Sequence, residues 1–323
     1  MPKVVFTDYY YPGIERERAI LSEVPGIEIV DLQVEMGGVK DPKALIPLLR
    51  DADGVITQYA RLDAEVIDAM EHPKILTRYG IGVDTIDVKH AKERGIAVAN
   101  VPDYCIEEVS DSAMAHLLNA VRRIGAADRA LRRNRFSYEV MGPIRRLSTL
   151  TVGLLAFGNI SRRTAEKLRP WGCNIQYFDP WFKPKDDSFS WAKPVSFDEM
   201  VETSDIISVH APLTEDTRDM LDAKALARMK KGSIIVCTSR GGIINENALY
   251  DALESGHIAY AGLDVLERDD ADYVNTRLLE LEDKVSLTPH MGWAGEEALV
   301  ELQEKVARNV AACLMTGKPV YPL

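Results

Sequence analysis

Gly153-Leu154-Leu155-Ala156-Phe157-Gly158-Asn159-Ile160-Ser161 reads as a buried apolar strand that runs into a tight turn and then a helix, with helical sequence continuing through Leu168 until Pro170 stops it. Such a turn lets backbone N–H groups approach a pyrophosphate, and the helix dipole adds partial positive charge at the same place. The usual G-x-G-x-x-G spacing is altered to A-x-G-x-x-S. Gly158 is kept where the backbone would come closest to phosphate, while Ala156 and Ser161 put small side chains at the tight turn and at the helix-to-strand contact. The next strand closes in Tyr177-Phe178-Asp179-Pro180, about 20 residues further on, where a carboxylate can accept hydrogen bonds from ribose hydroxyls. Gly158, Asn159, Ile160 and Asp179 are therefore expected to touch a dinucleotide. A carboxylate there repels a 2′-phosphate, and no arginine follows within Pro180-Trp181-Phe182-Lys183, which points to NAD rather than NADP. Without a ligand, the same residues make an ordinary strand and capping aspartate of an α/β protein.

Outward from this stretch, short β-branched and aliphatic runs alternate with helix-length amphipathic segments, the pattern of parallel sheets covered on both faces. Strands are expected at Lys3 to Thr7, Glu28 to Val30, Gly54 to Thr57, Ile75 to Arg78 and Ala97 to Ala99. Between them lie helices such as Ala64 to Met70 and Asp84 to Arg94, with Asp63 and Asp84 as N-caps and Gly95 as a left-handed stop. Val109, Ala113, Leu117, Val121, Ile124 and Leu131 recur on one helical face, predicting a single long connecting helix from Glu107 to Arg133. Six more strands follow, at Thr149 to Phe157, Asn174 to Phe178, Ile206 to Val209, Ser233 to Cys237, Ile258 to Leu263 and Val285 to Leu287. The expected fold class is α/β, with two doubly wound parallel sheets, Rossmann-like and flavodoxin-like, and a cleft between them. The amphipathic helix Glu296 to Met315 comes after the last strand and is free to return to the first unit. The first domain is thus expected to be discontinuous, 1–99 plus 290–323, around a second domain of 100–289.

Composition limits the functions open to such a chain. Over 323 residues, 39 Lys+Arg stand against 50 Asp+Glu, a net charge of −11, so no nucleic-acid or anionic-membrane partner is expected. The longest apolar run, Leu150 to Phe157, is far short of the roughly 20 residues needed to span a bilayer. Cys105, Cys173, Cys237 and Cys313 lack metal or disulfide spacing, so no metal is expected and a reducing compartment fits them. The N-terminus moves directly into a strand pattern with no targeting core, and a cytoplasmic location is expected.

Two later segments carry polar groups where strands of such a sheet end, the edge at which ligands bind. In Val236-Cys237-Thr238-Ser239-Arg240-Gly241-Gly242, an arginine follows a buried strand and can offer a planar fork of donors to a carboxylate or a carbonyl oxygen. In Leu287-Thr288-Pro289-His290-Met291-Gly292-Trp293, an imidazole titrating near neutrality can give a proton to a carbonyl oxygen as hydride arrives at carbon, and take it back in reverse. Taken singly, Arg240 also reads as a surface ion pair and His290 as a satisfied interfacial histidine. Their joint occurrence at strand ends favours chemistry.

These residues sit among several ordered blocks: Arg78-Tyr79-Gly80-Ile81-Gly82-Val83-Asp84 with Ile86-Asp87, Val209-His210-Ala211-Pro212-Leu213-Thr214 with Thr217, Met229-Lys230-Lys231-Gly232, Ser239-Arg240-Gly241-Gly242, Leu263-Asp264-Val265 and Thr288-Pro289-His290. Over nearly its whole length the chain resembles the NAD-dependent D-isomer-specific 2-hydroxyacid dehydrogenases, which include phosphoglycerate dehydrogenase and the C-terminal-binding proteins. The resemblance implies that Arg240 holds the substrate, that His290 donates the proton, that Asp264 touches the nicotinamide end, and that Ala211, Pro212, Thr217, Thr238 and Ser239 line the dinucleotide. The family places a glutamate five residues beyond that aspartate, paired to the histidine. Asp269 stands there in this chain, with Glu267 and Asp270 as rivals for the role. Cys237 and Asn245 replace the asparagine and aspartate usual in the family, and Asn245 remains a good N-cap.

The resemblance further implies that the loop Tyr79-Gly80-Ile81 offers backbone N–H groups to the carboxylate of a 2-keto or 2-hydroxy acid, and that the protein is a homodimer through the long helix and the arm Arg135 to Arg146. Ile56-Thr57-Gln58-Tyr59-Ala60 lacks the arginine with which phosphoglycerate enzymes hold a phosphate, and Arg61 stands nearby. The likeness is nearest to the C-terminal-binding-protein branch, through Asp8-Tyr9-Tyr10, the stretch from Pro102 to Asp111, and Trp293. An indole at Trp293 suits an apolar substrate side chain, or else interdomain packing. The expected function is reversible NAD-dependent hydride transfer. A non-catalytic NAD(H)-sensing interaction protein is the alternative, and a formate dehydrogenase is disfavoured by Asp269.

Overall fold

The computed structural model describes residues 1–267 and 276–323. The chain divides into two compact units, Met1–Tyr104 with Gly295–Leu323, and Cys105–Ala294.

The first unit contains strands β1 (Lys3–Phe6), β2 (Glu28–Asp31), β3 (Gly54–Thr57), β4 (Ile75–Arg78) and β5 (Ala97–Ala99). All pair in parallel in the order β2-β1-β3-β4-β5, the flavodoxin-like arrangement whose switch point lies between β1 and β3. Helices α1 (Glu15–Leu21), α2 (Leu32–Met36), α3 (Pro42–Leu49), α4 (Ala64–Ala69) and α5 (Val88–Glu93) connect them. Asp63 caps α4 by accepting from the Val66 N–H, as expected. Asp84 does not cap α5. Asp87 does, through the His90 N–H, and the residues before it form a turn closed by Ile86 N–H on the Val83 carbonyl. Gly95 ends this helix at φ +74°, a conformation cheap only for glycine.

The second unit opens on α6 (Ile106–Arg122) and α7 (Ile124–Arg132), two helices where the apolar spacing predicts one. The break is at Arg123, held left-handed at φ +57°. Its guanidinium donates to the Ala259 carbonyl, while the Asn119 side chain takes the Gly125 N–H that a continuous helix would have spent on its own backbone. The rest runs β6 (Thr151–Leu155), α8 (Asn159–Leu168), β7 (Asn174–Phe178), β8 (Lys193–Pro194), α9 (Phe197–Thr203), β9 (Ile206–Val209), α10 (Ala223–Arg228), β10 (Ser233–Cys237), α11 (Glu246–Glu254), β11 (Ile258–Leu263) and β12 (Val285–Leu287). α12 (Glu296–Thr316) then belongs to the first unit, packed on α1 and β4.

Among the described residues, the second sheet has seven parallel strands in the order β12-β11-β10-β9-β6-β7-β8, one more than expected. The addition is β8, a two-residue edge strand containing a proline, with no β-branched run to announce it. The switch point lies between β6 and β9. Apolar clusters cover the sheet: one includes Leu155, Val209, Cys237 and Leu263, the other Val152, Leu154, Phe157, Tyr177 and Tyr260.

Pairing register puts Phe178, Leu155, Val209, Cys237, Leu263 and Leu287 in one transverse row across this sheet. In the next position along each strand stand Asp179, Ala156, His210, Thr238, Asp264 and Thr288. A run of buried aliphatics thus delivers the candidate polar residues to a single edge, at the carboxyl ends of the strands, where open α/β sheets bind ligands.

Candidate active site

At the β6 turn, Ala156 takes the left-handed position that the fingerprint normally gives to glycine, with φ +71°. Gly158 is the N-cap residue of the ten-residue α8 and uses no side-chain cap. A Cβ placed there would meet nothing within 4 Å, so the backbone faces open space. Asn159 and Ile160 begin the helix behind it, and Ser161 is fully buried against neighbouring elements. Asp179 is tied into the protein: Oδ2 accepts the Phe157 N–H at 2.7 Å, and Oδ1 accepts those of Trp181 and Phe182 at 2.8 and 2.9 Å. One carboxylate thus fixes the glycine turn to the loop after β7, in addition to any contact with a ribose.

After β9, Ala211 is buried and Pro212 exposed, and the Thr217 hydroxyl closes their turn by donating to the Pro212 carbonyl while accepting the Thr214 N–H. His210 bonds the Ser208 hydroxyl at 2.9 Å, and burial pulls its pKa down to about 4, so the ring is neutral at physiological pH. After β10, the Cys237 thiol lies 3.6 Å from both the Ser239 hydroxyl and the Arg240 carbonyl, and burial raises its pKa. Cys237 therefore closes this turn where the family has asparagine. An Arg240 guanidinium nitrogen donates to the Ser239 carbonyl at 2.7 Å. Gly241 is obligatory, since a Cβ there would fall 1.7 Å from the Leu266 carbonyl oxygen.

Asp264 is 1% exposed, and its carboxylate is spent on the next loop. Oδ1 accepts the Thr288 hydroxyl at 2.5 Å and the Met291 N–H at 3.0 Å, and Oδ2 accepts the Gly292 N–H at 2.8 Å. The Asp264 carbonyl takes the His290 N–H at 2.8 Å. These bonds hold His290 left-handed at φ +49°. Trp293 adds its indole N–H to the His290 carbonyl at 2.8 Å. The polar edge of that indole is thus occupied within the loop. Asp264 is in the same way a clamp on the loop that carries His290, a duty that its expected contact with nicotinamide did not reveal. Asp269 lies outside the described residues, as does its rival Asp270.

In the first unit, the loop after β4 departs from expectation at one residue. The Tyr79 N–H is spent on the Thr57 carbonyl at 2.8 Å, and its buried hydroxyl donates to Glu17 at 2.6 Å. Burial raises the pKa of both groups. Gly80 and Ile81 keep their N–H groups without an acceptor among the described residues. Gly80 sits at φ +145°, and a Cβ there would come 2.6 Å from the Arg78 guanidinium.

Two residues, His116 and Ser112 on α6, were not singled out from the sequence, and His210 was quoted only within its block and given no role of its own. Ser112 and His116 touch the loop after β12, through Gly292 and Thr288. The available signal was a histidine set among the apolar positions of an otherwise core-facing helix.

The second unit fits an NAD molecule by two observations. The Thr238 hydroxyl is buried at the sheet edge with no partner among the described residues, and the Gly158 backbone opens on empty space at a helix N-terminus.

Comparison with known proteins agrees. Residues 114–292 match the model of the D-isomer specific 2-hydroxyacid dehydrogenase, NAD binding domain. A glyoxylate reductase of Thermococcus litoralis is 35% identical over 307 residues, 91% of this chain and 92% of that protein. A hydroxypyruvate reductase of Thermotoga maritima is 37% identical over 272 residues, 82% of this chain and 87% of the relative. The crystal structure of D-lactate dehydrogenase from Aquifex aeolicus, complexed with NAD and lactic acid, superposes with a TM-score of 0.85 at 26% identity, covering 98% of each chain. The chain is an NAD-binding oxidoreductase and belongs to the D-isomer-specific 2-hydroxyacid dehydrogenase family.

Proposed function

We propose that the protein interconverts a small, unphosphorylated 2-keto acid and the corresponding D-2-hydroxy acid, with His290 as the proton donor. The observation that carries this reading is the fixed His290 loop at the same sheet edge as the Gly158 turn. When bound, NADH would supply the hydride for the carbonyl carbon. The His290 imidazolium gives its proton to the carbonyl oxygen, and in the oxidative direction the neutral ring takes it back. Arg240 polarises that oxygen and holds the substrate. Asp269 is assigned as the acidic partner that stabilises the imidazolium. The N–H groups of Gly80 and Ile81 are assigned to the substrate carboxylate. Thr238, Ser239, Ala211, Pro212 and Thr217 line the dinucleotide, and Asp179 borders its ribose.

The stretch Ile56 to Ala60 at the end of β3 carries no arginine, and Arg61 is the single exposed one that follows before α4; together with relatives named as glyoxylate and hydroxypyruvate reductases, this supports a short substrate without phosphate. Trp293 presents its ring to a substrate side chain. The exposed Phe136 and Tyr138 in the arm after α7, 92% and 80% accessible, support a homodimer formed through that arm. Free cysteines throughout support a reducing, cytoplasmic setting.

The test is NADH oxidation against a panel of 2-keto acids, glyoxylate and hydroxypyruvate among them, with wild type and His290→Ala. Turnover by wild type, falling by about 10²-fold or more in the variant at unchanged NADH affinity, supports the assignment. NADH binding without turnover of any keto acid rejects it.

A further inference from the structure

A hydrogen-bond chain runs from α6 to the loop that holds His290, entirely within the second unit. It begins at Ser286, whose hydroxyl lies 2.9 Å from Nδ1 of His116. Nε2 of the same ring lies 3.0 Å from the Thr288 hydroxyl oxygen. That hydroxyl is 2.5 Å from Asp264 Oδ1. The other acceptor contacts of Asp264 go to the backbone N–H groups of Met291 and Gly292.

Proton bookkeeping sets the direction of every link. An ionised carboxylate only accepts, so the Thr288 proton points at Asp264. The Thr288 oxygen must then accept from His116, which puts the ring proton on Nε2. Nδ1 is left as an acceptor and receives the Ser286 proton. Each link then pairs one donor with one acceptor, and the ring is neutral. Burial at 6% exposure favours that state, against a smaller pull from the Asp264 charge.

The site is shaped for this ring. Gly262 of β11 leaves the room, since a Cβ there would stand 2.8 Å from the Cβ of His116. One turn earlier on the same helix face, the Ser112 hydroxyl donates to the Gly292 carbonyl at 3.3 Å. Helix α6 therefore grips both ends of the segment 288–292.

We propose that His116 is a positioning residue for proton transfer: by donating from Nε2 to Thr288 it fixes the orientation in which Thr288 and Asp264 hold His290 left-handed and aimed. The role rests on the reading of His290 given above. It does not require His116 to touch substrate or coenzyme. Removing the donor frees the Thr288 hydroxyl to rotate away from Asp264, and the loop loses one of the anchors of its strained residue.

The experiment compares His116→Leu, which removes both ring nitrogens, with His116→Gln, whose amide can again donate to Thr288. The expected result is a fall in kcat of about tenfold or more for His116→Leu, with the Kd for NADH unchanged and most of kcat recovered in His116→Gln. In ¹⁵N spectra of the wild type, one imidazole is expected in the Nε2–H tautomer, lost in His116→Leu, with the His290 resonances displaced at the same time. Unchanged kcat in folded His116→Leu overturns the proposal, and so does a His116 ring found charged or as the Nδ1–H tautomer at neutral pH. Should His116→Leu fail to fold, the pair Thr288→Val and Thr288→Ser carries the test. Loss of kcat in the first and retention in the second supports the chain, and equal values overturn it. Absence of turnover in wild type would reject the assigned activity alone, since displacement of the His290 resonances decides the positioning role without any reaction.

Discussion

Two turns at the edge of the second sheet solve the same problem with opposite results. The turn after β6 holds Ala156 at φ +71°, and the turn after β12 holds His290 at φ +49°. Both are non-glycine residues in a region that costs an L-residue roughly 1–2 kcal/mol. In each case an aspartate just past the transverse row grips the N–H that follows the strained residue: Asp179 takes that of Phe157, and Asp264 takes that of Met291. Their surroundings differ. Asp264 is nearly inaccessible and has added the Thr288 hydroxyl and the Gly292 N–H, with Ser112, His116 and Trp293 bracing the same loop. Asp179 is half-buried and, among the described residues, adds the N–H groups of Trp181 and Phe182. Buried carboxylates make rigid clamps because no water competes for the donors, whereas a half-exposed one can exchange its partners. The first arrangement suits a reacting group that must not move, and the second suits a turn that must receive a ligand.

If the division holds, damage at the β10 to β12 end lowers turnover and damage at the β6 to β7 end lowers coenzyme affinity. The largest separation is expected from Arg240→Ala, which should lose turnover by about 10²-fold or more while NADH titration gives an unchanged Kd. Equal loss of NADH binding would break the comparison at its strongest point. Asp264→Ala comes next. It strands a hydroxyl and two backbone N–H groups in a buried site, each costing about 1–3 kcal/mol less whatever relaxation recovers, so a loss of a few kcal/mol in urea denaturation is expected together with reduced kcat. Full activity in a folded Asp264→Ala protein would show that His290 needs no clamp. Asp179→Ala is expected to be milder, about 1 kcal/mol in stability, because its donors can turn to water, with weaker NADH binding and less discrimination against NADPH. An unchanged coenzyme preference would confine Asp179 to its backbone contacts.

The sequence displays what is written in residue type and spacing, and the transverse row is of that kind: apolar strand runs, each followed by one polar residue except at Ala156, are visible in the chain before any coordinates. Arg240 and His290 stand two residues beyond Thr238 and Thr288, and their position past strand ends is readable for this reason. What was hidden depends on which atom a side chain chooses. Asp179 and Asp264 are conspicuous as carboxylates, but nothing in the chain says that both reach sideways to a neighbouring turn. The same holds for Tyr79, whose N–H and hydroxyl are both consumed inside the first unit, on Thr57 and Glu17. The continuous helix expected across Arg123 failed because apolar period is blind to a single left-handed residue, here one whose guanidinium reaches the distant Ala259 carbonyl while the Asn119 side chain takes the Gly125 N–H. Asp84 and Asp87 are equivalent as capping types, and only the turn geometry selects the second.

The smallest expected effect tests the comparison most finely. Ala156→Gly restores the glycine of the fingerprint at a left-handed position, relieving roughly 1 kcal/mol of backbone strain. Glycine also gives the unfolded chain more freedom, which returns about 0.4–1 kcal/mol in the opposite direction. Net stability should therefore change little, within about half a kcal/mol in denaturant titration. Coenzyme affinity should respond more than stability, since without the methyl group the turn can settle onto a pyrophosphate without pulling against Asp179. Tighter NADH binding at constant Tm is the expected outcome. The same substitution at the other turn is not available, because there the strained residue carries the imidazole. A marked rise in Tm with no change in NADH affinity would mean that the β6 turn is as rigid as the His290 loop, and the contrast between the two would disappear.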